Sequence, residues 1–371
     1  MLKKVLDLFL NTFINFSSVL KRGGNAVDSA LAGLICNGVI NPQSMGIGGG
    51  FLMVIYDPKH GKSFFINARE TAPEKATLDM YQGDPKLSSR GPRAGAIPGE
   101  ISGYWVAKRK FGNSNTTWES LFEPTIKMCR DGLPVTKTLA KHLREHQDLV
   151  WKDPGMRQIF IDPATNSTWK EGDLYKREIF ANTLEKIAKN GHSEFYTGEV
   201  ANEFIKDLTA AGGIMTARDL RTYRTEFNTS LTVELDGGNV LHSVPPPGSG
   251  AILGAILNIA KRFEMNATTD KGLFAHRLVE SFKLAYGQRT KLGDPNDEEI
   301  TELVNEVVSK LVSDSWAQEA FEKIHDNYTV TDPQYYGGDF AMGPEDHGTA
   351  HISVLGPLGD AVSVTSTVNL Q

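Results

Sequence analysis

A threonine near the end of the chain stands at a position from which it could act as a nucleophile. Thr349 follows the flexible residue Gly348 and opens a run of alternating apolar and polar residues. The hydroxyl of a threonine can be activated by its own amine when that threonine is the first residue of a chain. For Thr349 to react in this way, the bond between Gly348 and Thr349 would have to be cleaved.

A second hydroxyl is expected to face the first. Two runs with the alternation of half-buried strands, residues 346–354 and 361–369, flank a turn-like segment rich in glycine. If these runs pair about Leu358, the register places Thr349 opposite Thr367. Opposed residues of such a pair have Cβ atoms about 4.5–5.5 Å apart. We therefore expect Thr367 to orient the Thr349 hydroxyl, with a purely structural Thr–Thr pair as the alternative.

Seven segments of the chain together resemble the gamma-glutamyltransferase (glutathione hydrolase) family. Residues 348–351 and 365–369 look like the processing site and the following hairpin of that family. Five upstream segments resemble family motifs in the family's order and with roughly its spacing: 44–50, 67–73, 97–100, 210–217 and 292–295. The resemblance extends from about Arg22 to Asn369.

The resemblance implies a fold and an activity. The fold is α+β, with the layered αββα architecture of the N-terminal-nucleophile hydrolases. The precursor is expected to cut itself between Gly348 and Thr349, after which Thr349 attacks the gamma-glutamyl amide of glutathione or a related gamma-glutamyl compound. The acyl group then passes to water, an acceptor amino acid or a dipeptide. No cofactor is expected.

Three further residues are expected to bind the substrate. Arg69 lies in the family's Asn-Ala-Arg-Glu segment, and its planar guanidinium suits bidentate binding of the substrate α-carboxylate. Glu70 could pair with Arg69 or with the substrate ammonium group, and the sequence leaves both possibilities open. Asn369 shares a strand face with Thr367 and resembles the family's asparagine that contacts the glutamyl group.

The resemblance also predicts how the chain is divided. Residues 1–17 form an unmatched N-terminal segment, 18–348 a large-subunit-like region of a single domain, and 349–371 the start of a small-subunit-like region. In the family, a long small subunit follows and supplies the oxyanion-hole backbone. We therefore expect a fold truncated at the C-terminus that needs a small-subunit polypeptide from a longer precursor. The alternative is a catalytically inactive large-subunit-like scaffold.

Two histidines suggest a competing hypothesis. His142, Glu145 and His146 fit the pattern His-x-x-Glu-His of inverted zinc peptidases, in which both histidines project from one helix face. A catalytic zinc also needs a third protein ligand, and no motif that would supply one follows. We therefore predict no metal site, and a zinc metallopeptidase remains the alternative.

The glycines of residues 46–50 do not predict a nucleotide site. Their spacing fails Gly-x-Gly-x-x-Gly because Phe51 stands where the last glycine should be, and no Gly-Lys-Ser/Thr follows. The segment also precedes a strand, whereas a phosphate-binding loop follows one. We expect these glycines to allow a close backbone approach where the chain enters a sheet.

Composition narrows the partners and the compartment. The net charge of −6 and the pI of about 5.9 do not favour binding to nucleic acid. Two cysteines are too few for a disulfide framework, and no apolar run reaches the length that spans a bilayer. From the family resemblance, we expect the protein to be located at the plasma membrane or at its extracellular face. Five sequons are candidates for glycosylation in that compartment: Asn115, Asn166, Asn228, Asn266 and Asn327.

The elements that must position these residues can also be predicted. A hairpin is expected from the strands 51–56 and 63–67, with Arg69 at its exit, and two short strands near 230–236 and 239–243. Helical patterns occupy 25–40, 99–111, 117–131, 135–150, 178–190, 196–211, 249–263, 271–292 and 300–324. No linker is long enough to mark a domain border.

Overall fold

The computed structural model describes residues 17–263, 270–338 and 348–369. Its helices are α1 (Ala26–Ile40), α2 (Lys86–Ser89), α3 (Glu100–Phe111), α4 (Trp118–Asp131), α5 (Lys137–Glu145), α6 (Gln147–Lys152), α7 (Pro154–Phe160), α8 (Glu178–Asn190), α9 (Ser193–Thr197), α10 (Glu199–Ala210), α11 (Ala217–Thr222), α12 (Gly250–Ala260), α13 (Lys271–Arg289), α14 (Thr301–Leu311) and α15 (Asp314–Phe321). Short 3-10 turns occur at Asp236–Gly238, Lys261–Phe263 and Pro333–Tyr336. None of the helices within the described residues has the length and apolar character to cross a membrane.

The strands combine with these helices into the α+β class that the sequence predicts. They are β1 (Gly50–Asp57), β2 (Lys62–Ala68), β3 (Leu133–Pro134), β4 (Ile161–Asp162), β5 (Ser167–Thr168), β6 (Leu174–Tyr175), β7 (Glu226–Thr229), β8 (Leu231–Glu234), β9 (Val240–Ser243), β10 (Ala350–Leu355) and β11 (Ala361–Thr367). The largest sheet has five strands in the order β10-β11-β1-β2-β7, and the other strands form two-stranded pairs. Strand β11, from the end of the chain, therefore lies beside β1, from its beginning.

The register of the terminal hairpin is the one that the sequence predicts. Ala350 pairs with Ser366 and Leu355 pairs with Ala361 in the antiparallel pair of β10 and β11. Continued by one residue, this register places Thr349 opposite Thr367. On its other side β11 pairs antiparallel with β1, so that Gly50 is the partner of Thr367.

Helix α1 is buried on almost every side, in contrast to the amphipathic helices at the surface. It begins with a capping box, in which the Asn25 side chain accepts from the Asp28 amide and the Asp28 carboxylate accepts from the Asn25 amide. The buried Asp28 also forms an ion pair of 2.7 Å with Lys108 of α3. The helix packs against α4, β10 and β11, and it thereby supports the strands that carry the predicted nucleophile.

The contacts group the chain into two compact units, each with its own apolar core. Among the described residues, unit 1 comprises 17–61, 66–227 and 348–369, and its core includes Leu31, Phe51 and Tyr104. Unit 2 comprises 62–65, 228–263 and 270–338, and its core includes Ile256 and Trp316. The boundaries predicted at residues 17 and 348 remain predictions.

Three helical patterns that the sequence presents as continuous are interrupted. The pattern 135–150 divides at His146, and 196–211 divides at Gly198 between α9 and α10. The pattern 300–324 divides because Ser313 caps a new helix, with its side chain accepting from the Trp316 amide. The apolar spacing continues through each break, so hydrophobic periodicity alone did not reveal them.

Candidate active site

The two predicted hydroxyls meet where β10 and β11 begin to pair. Thr349 donates to Thr367 across an Oγ1–Oγ1 distance of 3.2 Å. Thr367 in turn donates to the carbonyl oxygen of Gly348 at 2.9 Å and accepts from the backbone N–H of Asn369 at 2.9 Å. A hydroxyl offers one donor and two acceptor sites, so these three bonds use the full capacity of Thr367 and fix its orientation.

Gly348 adopts a backbone conformation that favours glycine. Its φ is 71°, in the left-handed region where a Cβ atom is disfavoured. In this conformation its carbonyl oxygen receives the Thr367 hydroxyl, on the residue immediately before Thr349. The bond that self-cleavage would break therefore has its carbonyl polarised by a hydrogen-bond donor.

A second group of polar side chains adjoins the hydroxyl pair. The Arg69 guanidinium donates to the Asn369 side-chain oxygen at 2.7 Å, and the Asn369 amide donates to Glu70 at 3.3 Å. Glu70 also lies 3.5 Å from Nε of Arg69. Because the Asn369 backbone binds Thr367, one chain of hydrogen bonds links Thr349 to Arg69.

Side chains of unit 1 fix the backbone of Arg69. The Asn67 side chain accepts from the Arg69 amide at 3.0 Å, and the Tyr223 hydroxyl donates to the Arg69 carbonyl at 2.9 Å. The Arg69 side chain is 34% exposed, whereas that of Glu70 is only 5% exposed. The guanidinium thus keeps N–H donors accessible to a ligand, while the hydrogen bonds to the Arg69 backbone fix the position of the residue.

The glycine-rich segment lets the chain pass close behind the hydroxyl pair. A Cβ atom on Gly49 would lie 2.0 Å from the carbonyl oxygen of Thr367, and one on Gly50 would lie 2.2 Å from that of Ala68. Nearby, the carbonyl of Ser44 accepts from the amide of Val368 at 3.2 Å. This arrangement confirms the prediction of a close backbone approach where the chain enters the sheet.

A buried carboxyl group lies behind the hydroxyl pair, and the sequence did not reveal it. Glu100 accepts from the Ser366 hydroxyl at 2.9 Å and from the Tyr104 hydroxyl. Burial raises the pKa of Glu100 to about 8, although the hydrogen bonds from Tyr104 and Ser366 act in the opposite direction. A glutamate in the first turn of a helix is usually exposed and favoured there by the helix dipole, so its sequence position gave no sign of burial.

A cleft of about 860 Å³ opens beside the polar group. Glu70, Val368 and Asn369 line it on the side of the hydroxyl pair. Apolar residues of the segment from α8 to Met215 also line it, among them Phe180 and Phe204. Its volume is typical of pockets that hold small organic ligands.

The structure thus brings together every residue that the sequence proposed for catalysis and substrate binding: Gly348, Thr349, Thr367, Arg69, Glu70 and Asn369. Four of the candidate glycosylation sites, Asn115, Asn166, Asn228 and Asn327, are exposed. The fifth, Asn266, lies outside the described residues.

The zinc hypothesis gains no support. The rings of His142 and His146 lie 6.3 Å apart, between centroids, and are nearly parallel. In the part of the chain that the structure describes, no group of three His, Cys, Asp or Glu side chains is placed to hold a metal ion. The third ligand that a catalytic zinc needs is therefore not supplied by these residues.

Comparison with known proteins places the chain in a family. A family model described as Gamma-glutamyltranspeptidase matches residues 17–371. Scoloptoxin SSD14 of Scolopendra dehaani is 43% identical over 357 residues, which cover 95% of this chain and 60% of that protein. Glutathione hydrolase 5 proenzyme of Rattus norvegicus is 36% identical over 360 residues, which cover 95% of this chain and 61% of that protein. The chain therefore spans about 60% of the length of these curated relatives.

The fold is shared with a solved structure. Helicobacter pylori gamma-glutamyltranspeptidase superposes with a TM-score of 0.80 at 29% identity, over 90% of this chain and 96% of that chain. This likeness confirms the fold of the N-terminal-nucleophile hydrolases that the sequence predicts.

Proposed function

Since this chain belongs to the gamma-glutamyltranspeptidase family, we propose that it transfers the gamma-glutamyl group of glutathione and its conjugates to water or to an acceptor amine. One observation carries the proposal. A continuous chain of hydrogen bonds runs from the Thr349 hydroxyl through Thr367 and Asn369 to the Arg69 guanidinium. The nucleophile and the cation that binds the substrate carboxylate are thereby parts of one connected site.

The first step is self-cleavage. The Thr349 oxygen attacks the carbonyl carbon of Gly348, and its proton moves toward Thr367, which already accepts that hydrogen bond. The Thr367 hydroxyl donates to the carbonyl oxygen, where negative charge develops. The C–N bond then breaks, the nitrogen gains the proton that left the Thr349 hydroxyl, and water hydrolyses the resulting ester. The products are a carboxylate on Gly348 and a free amine and hydroxyl on Thr349.

The second step uses the new amine. With a reference pKa of about 7.7–8.0, the Thr349 amine can take the proton from the Thr349 hydroxyl at neutral pH. The oxygen attacks the gamma-carbonyl of the substrate, the amide C–N bond breaks, and the leaving amine gains the proton. Water or an acceptor amine then attacks the glutamyl ester, which releases glutamate or a new gamma-glutamyl amide and restores the Thr349 hydroxyl.

The polar group beside the hydroxyl pair suits the glutamyl end of the substrate. Arg69 offers guanidinium donors to the α-carboxylate, since a guanidinium has five N–H groups and Asn369 uses one of them here. Glu70 and the Asn369 side-chain oxygen are suited to the α-ammonium group. The leaving part of the substrate would then extend into the cleft that Phe180 and Phe204 line.

The complete active centre is proposed to include a second polypeptide. The chain spans about 60% of the length of its curated relatives, and one of them is named a proenzyme. We propose that a small-subunit polypeptide, corresponding to the remainder of such relatives, contributes the oxyanion-hole donors. Each donor of this kind contributes on the order of 10²–10³ in rate.

Hydrolysis of a gamma-glutamyl anilide tests the proposal. The chain is assayed alone and together with the polypeptide that corresponds to the rest of the rat relative, and we expect turnover in the combination. Thr349→Ala should abolish it, whereas Thr365→Ala, on the exposed face of β11, should retain it. Absence of turnover despite a free N-terminal Thr349 would favour the inactive scaffold. Robust turnover by the chain alone would contradict the need for a second polypeptide.

The compartment is part of the same proposal. We propose that the protein acts at the extracellular face of the plasma membrane, where gamma-glutamyl compounds outside the cell would be its substrates. The exposure of Asn115, Asn166, Asn228 and Asn327 agrees with glycosylation on a secretory route. Digestion with a glycosidase that removes N-linked glycans, followed by mass analysis of these four peptides, tests this part.

A further inference from the structure

The buried carboxyl group of Glu100 contacts the strand that carries Thr367. Glu100 is fully buried, and its Oε1 atom accepts from the Ser366 hydroxyl at 2.9 Å. The Tyr104 hydroxyl donates to the same oxygen atom. Ser366 is also fully buried, and it immediately precedes Thr367 in β11. The carboxyl group therefore holds β11 at the residue next to Thr367.

The backbone at the start of α3 holds a second neighbour of Thr367. The amides of Gly99 and Glu100 donate to the carbonyl oxygen of Gly49 at 2.9 and 3.1 Å. Gly49 in turn lies so close to Thr367 that a Cβ atom on it would be 2.0 Å from the Thr367 carbonyl oxygen. The first turn of α3 thus holds β11 through the Ser366 hydroxyl and holds the glycine-rich segment through Gly49.

Packing alone does not explain a carboxyl group at this position. Burying an ionisable group costs free energy even when it is hydrogen-bonded, and an apolar side chain would fill the same space without that cost. What the carboxyl group adds is its hydrogen bonds to Tyr104 and Ser366. Tyr104 belongs to the same helix as Glu100, so the bond to Ser366 is the one that joins α3 to β11.

We propose that Glu100 is a positioning residue for self-cleavage, and that it acts through the Ser366 hydroxyl to fix the position of Thr367. This role rests on the proposed function, since it requires that Thr349 attack Gly348. Thr367 donates to Gly348 and accepts from Thr349 at the same time, so a displacement of its backbone disturbs both hydrogen bonds. A misplacement of about 1 Å can slow a reaction roughly 10²-fold.

Ser366→Ala tests this role with the smallest change, because it removes one oxygen atom from β11. The chain is synthesised in a cell-free system together with the small-subunit polypeptide, and cleavage between Gly348 and Thr349 is followed over time by mass spectrometry. We expect Ser366→Ala to slow cleavage at least roughly 10-fold. Tyr104→Phe is the matched control. It removes the other hydroxyl from the same carboxyl group but leaves Ser366 in place, and it should cleave at the rate of the unchanged protein.

Two substitutions of Glu100 separate its hydrogen bond from its volume. Glu100→Gln keeps a side-chain carbonyl oxygen that accepts from Ser366, and it should cleave at a rate close to that of the unchanged protein. Glu100→Met keeps the length of the side chain but has no oxygen atom, and it should be as slow as Ser366→Ala. The double variant Glu100→Met, Ser366→Ala should be no slower than the slower single variant, because both substitutions remove the same hydrogen bond.

The melting temperature of each variant is measured with its cleavage rate, because a purely structural role predicts that the rate follows stability. Equal slowing by Tyr104→Phe and Ser366→Ala, or an unchanged rate in Ser366→Ala, would show that the positioning role is wrong while the proposed function stands. If the unchanged protein did not cleave between Gly348 and Thr349, the proposed function would be wrong, and this role with it.

Discussion

The hydroxyl oxygens of Thr349 and Thr367 lie 3.2 Å apart, although the two residues are 18 positions apart in the chain. The contact depends on the register of one hairpin, since a shift by one residue would turn Thr367 to the opposite face of the sheet. Strand β1 holds that register from the other side, with Gly50 opposite Thr367. The nucleophile is thus positioned by strands from both ends of the chain.

We expect self-cleavage to require the hydroxyl group of Thr367, and not merely a side chain of its size. Thr367→Val keeps the volume but removes the hydroxyl that donates to Gly348 and accepts from Thr349. We expect cleavage to slow by on the order of 10²–10³-fold, as for the loss of one oxyanion donor. Thr367→Ser should cleave at a rate close to that of the unchanged protein. Cleavage is measured by electrophoresis of samples taken over time. Equal cleavage rates for the valine and serine variants would show that the Thr349–Thr367 pair is only structural.

Arg69 is expected to bind the α-carboxylate of the substrate. Arg69→Gln removes the charge, and because hydrogen bonds to charged groups contribute about 1.5–3 kcal/mol, we expect kcat/KM to fall roughly 10- to 100-fold. The fall should appear mainly in KM. Arg93→Gln changes an exposed arginine whose guanidinium donates to the Met80 carbonyl, and it should leave both constants unchanged. If Arg69→Gln left KM unchanged, Arg69 would not bind the substrate α-carboxylate.

Glu100 is expected to make stability fall as pH rises. Burial holds its pKa at about 8 in the folded chain, against an ordinary value of 4.5. The folded chain therefore binds more protons than the unfolded chain between these values, and the contribution of this group is lost as pH rises toward 8. The slope reaches at most about 1.4 kcal/mol per pH unit.

Glu100→Gln should remove this slope. Free energies of unfolding, measured by urea denaturation between about pH 5 and about pH 9, should differ increasingly between the variant and the unchanged protein up to about pH 8 and then by a constant amount. Glu119→Gln, an exposed glutamate in the first turn of α4, serves as the control. A difference that is independent of pH would mean that Glu100 is ionised in the folded protein.

Gly49 is expected to tolerate no side chain. A Cβ atom there would lie 2.0 Å from the carbonyl oxygen of Thr367, whereas one on Gly48 would meet nothing within 4 Å. Gly49→Ala should displace the end of β11 and abolish self-cleavage, and Gly48→Ala should cleave normally. Cleavage and melting temperature are measured together, because loss of cleavage in both variants would mean that the whole segment acts through flexibility.

The parts of this site differ in how far the sequence could reveal them. Alternation and turn length predicted the contact of Thr349 with Thr367, because a hairpin register depends on neighbouring residues. The contact of Arg69 with Asn369 joins residues 300 positions apart. The resemblance to a family assigned both residues to the substrate but did not predict that they touch each other. The burial of Glu100 depends on Ser366 and Tyr104 meeting it at one point, and no local pattern encodes that meeting.

The helix breaks at His146 and Gly198 were missed for a similar reason. The apolar spacing continues across each break because the segments on both sides pack against the same core. Hydrophobic periodicity reports which side of a segment is buried, but it does not report where the backbone turns. Helix caps and tertiary contacts determine where the backbone turns. Tertiary contacts join residues that are far apart in the sequence, so the spacing of apolar residues does not reveal them.

The central claim is that Thr349 becomes an N-terminal residue whose hydroxyl carries the glutamyl group. It is tested by peptide mapping of the protein, with its small-subunit polypeptide, after reaction with a gamma-glutamyl anilide and rapid quenching in acid. We predict a peptide that begins at Thr349 and carries the added mass of one glutamyl group on that residue, and none in Thr349→Ala. A glutamyl group found on another residue, or found while the bond between Gly348 and Thr349 is intact, would contradict this account.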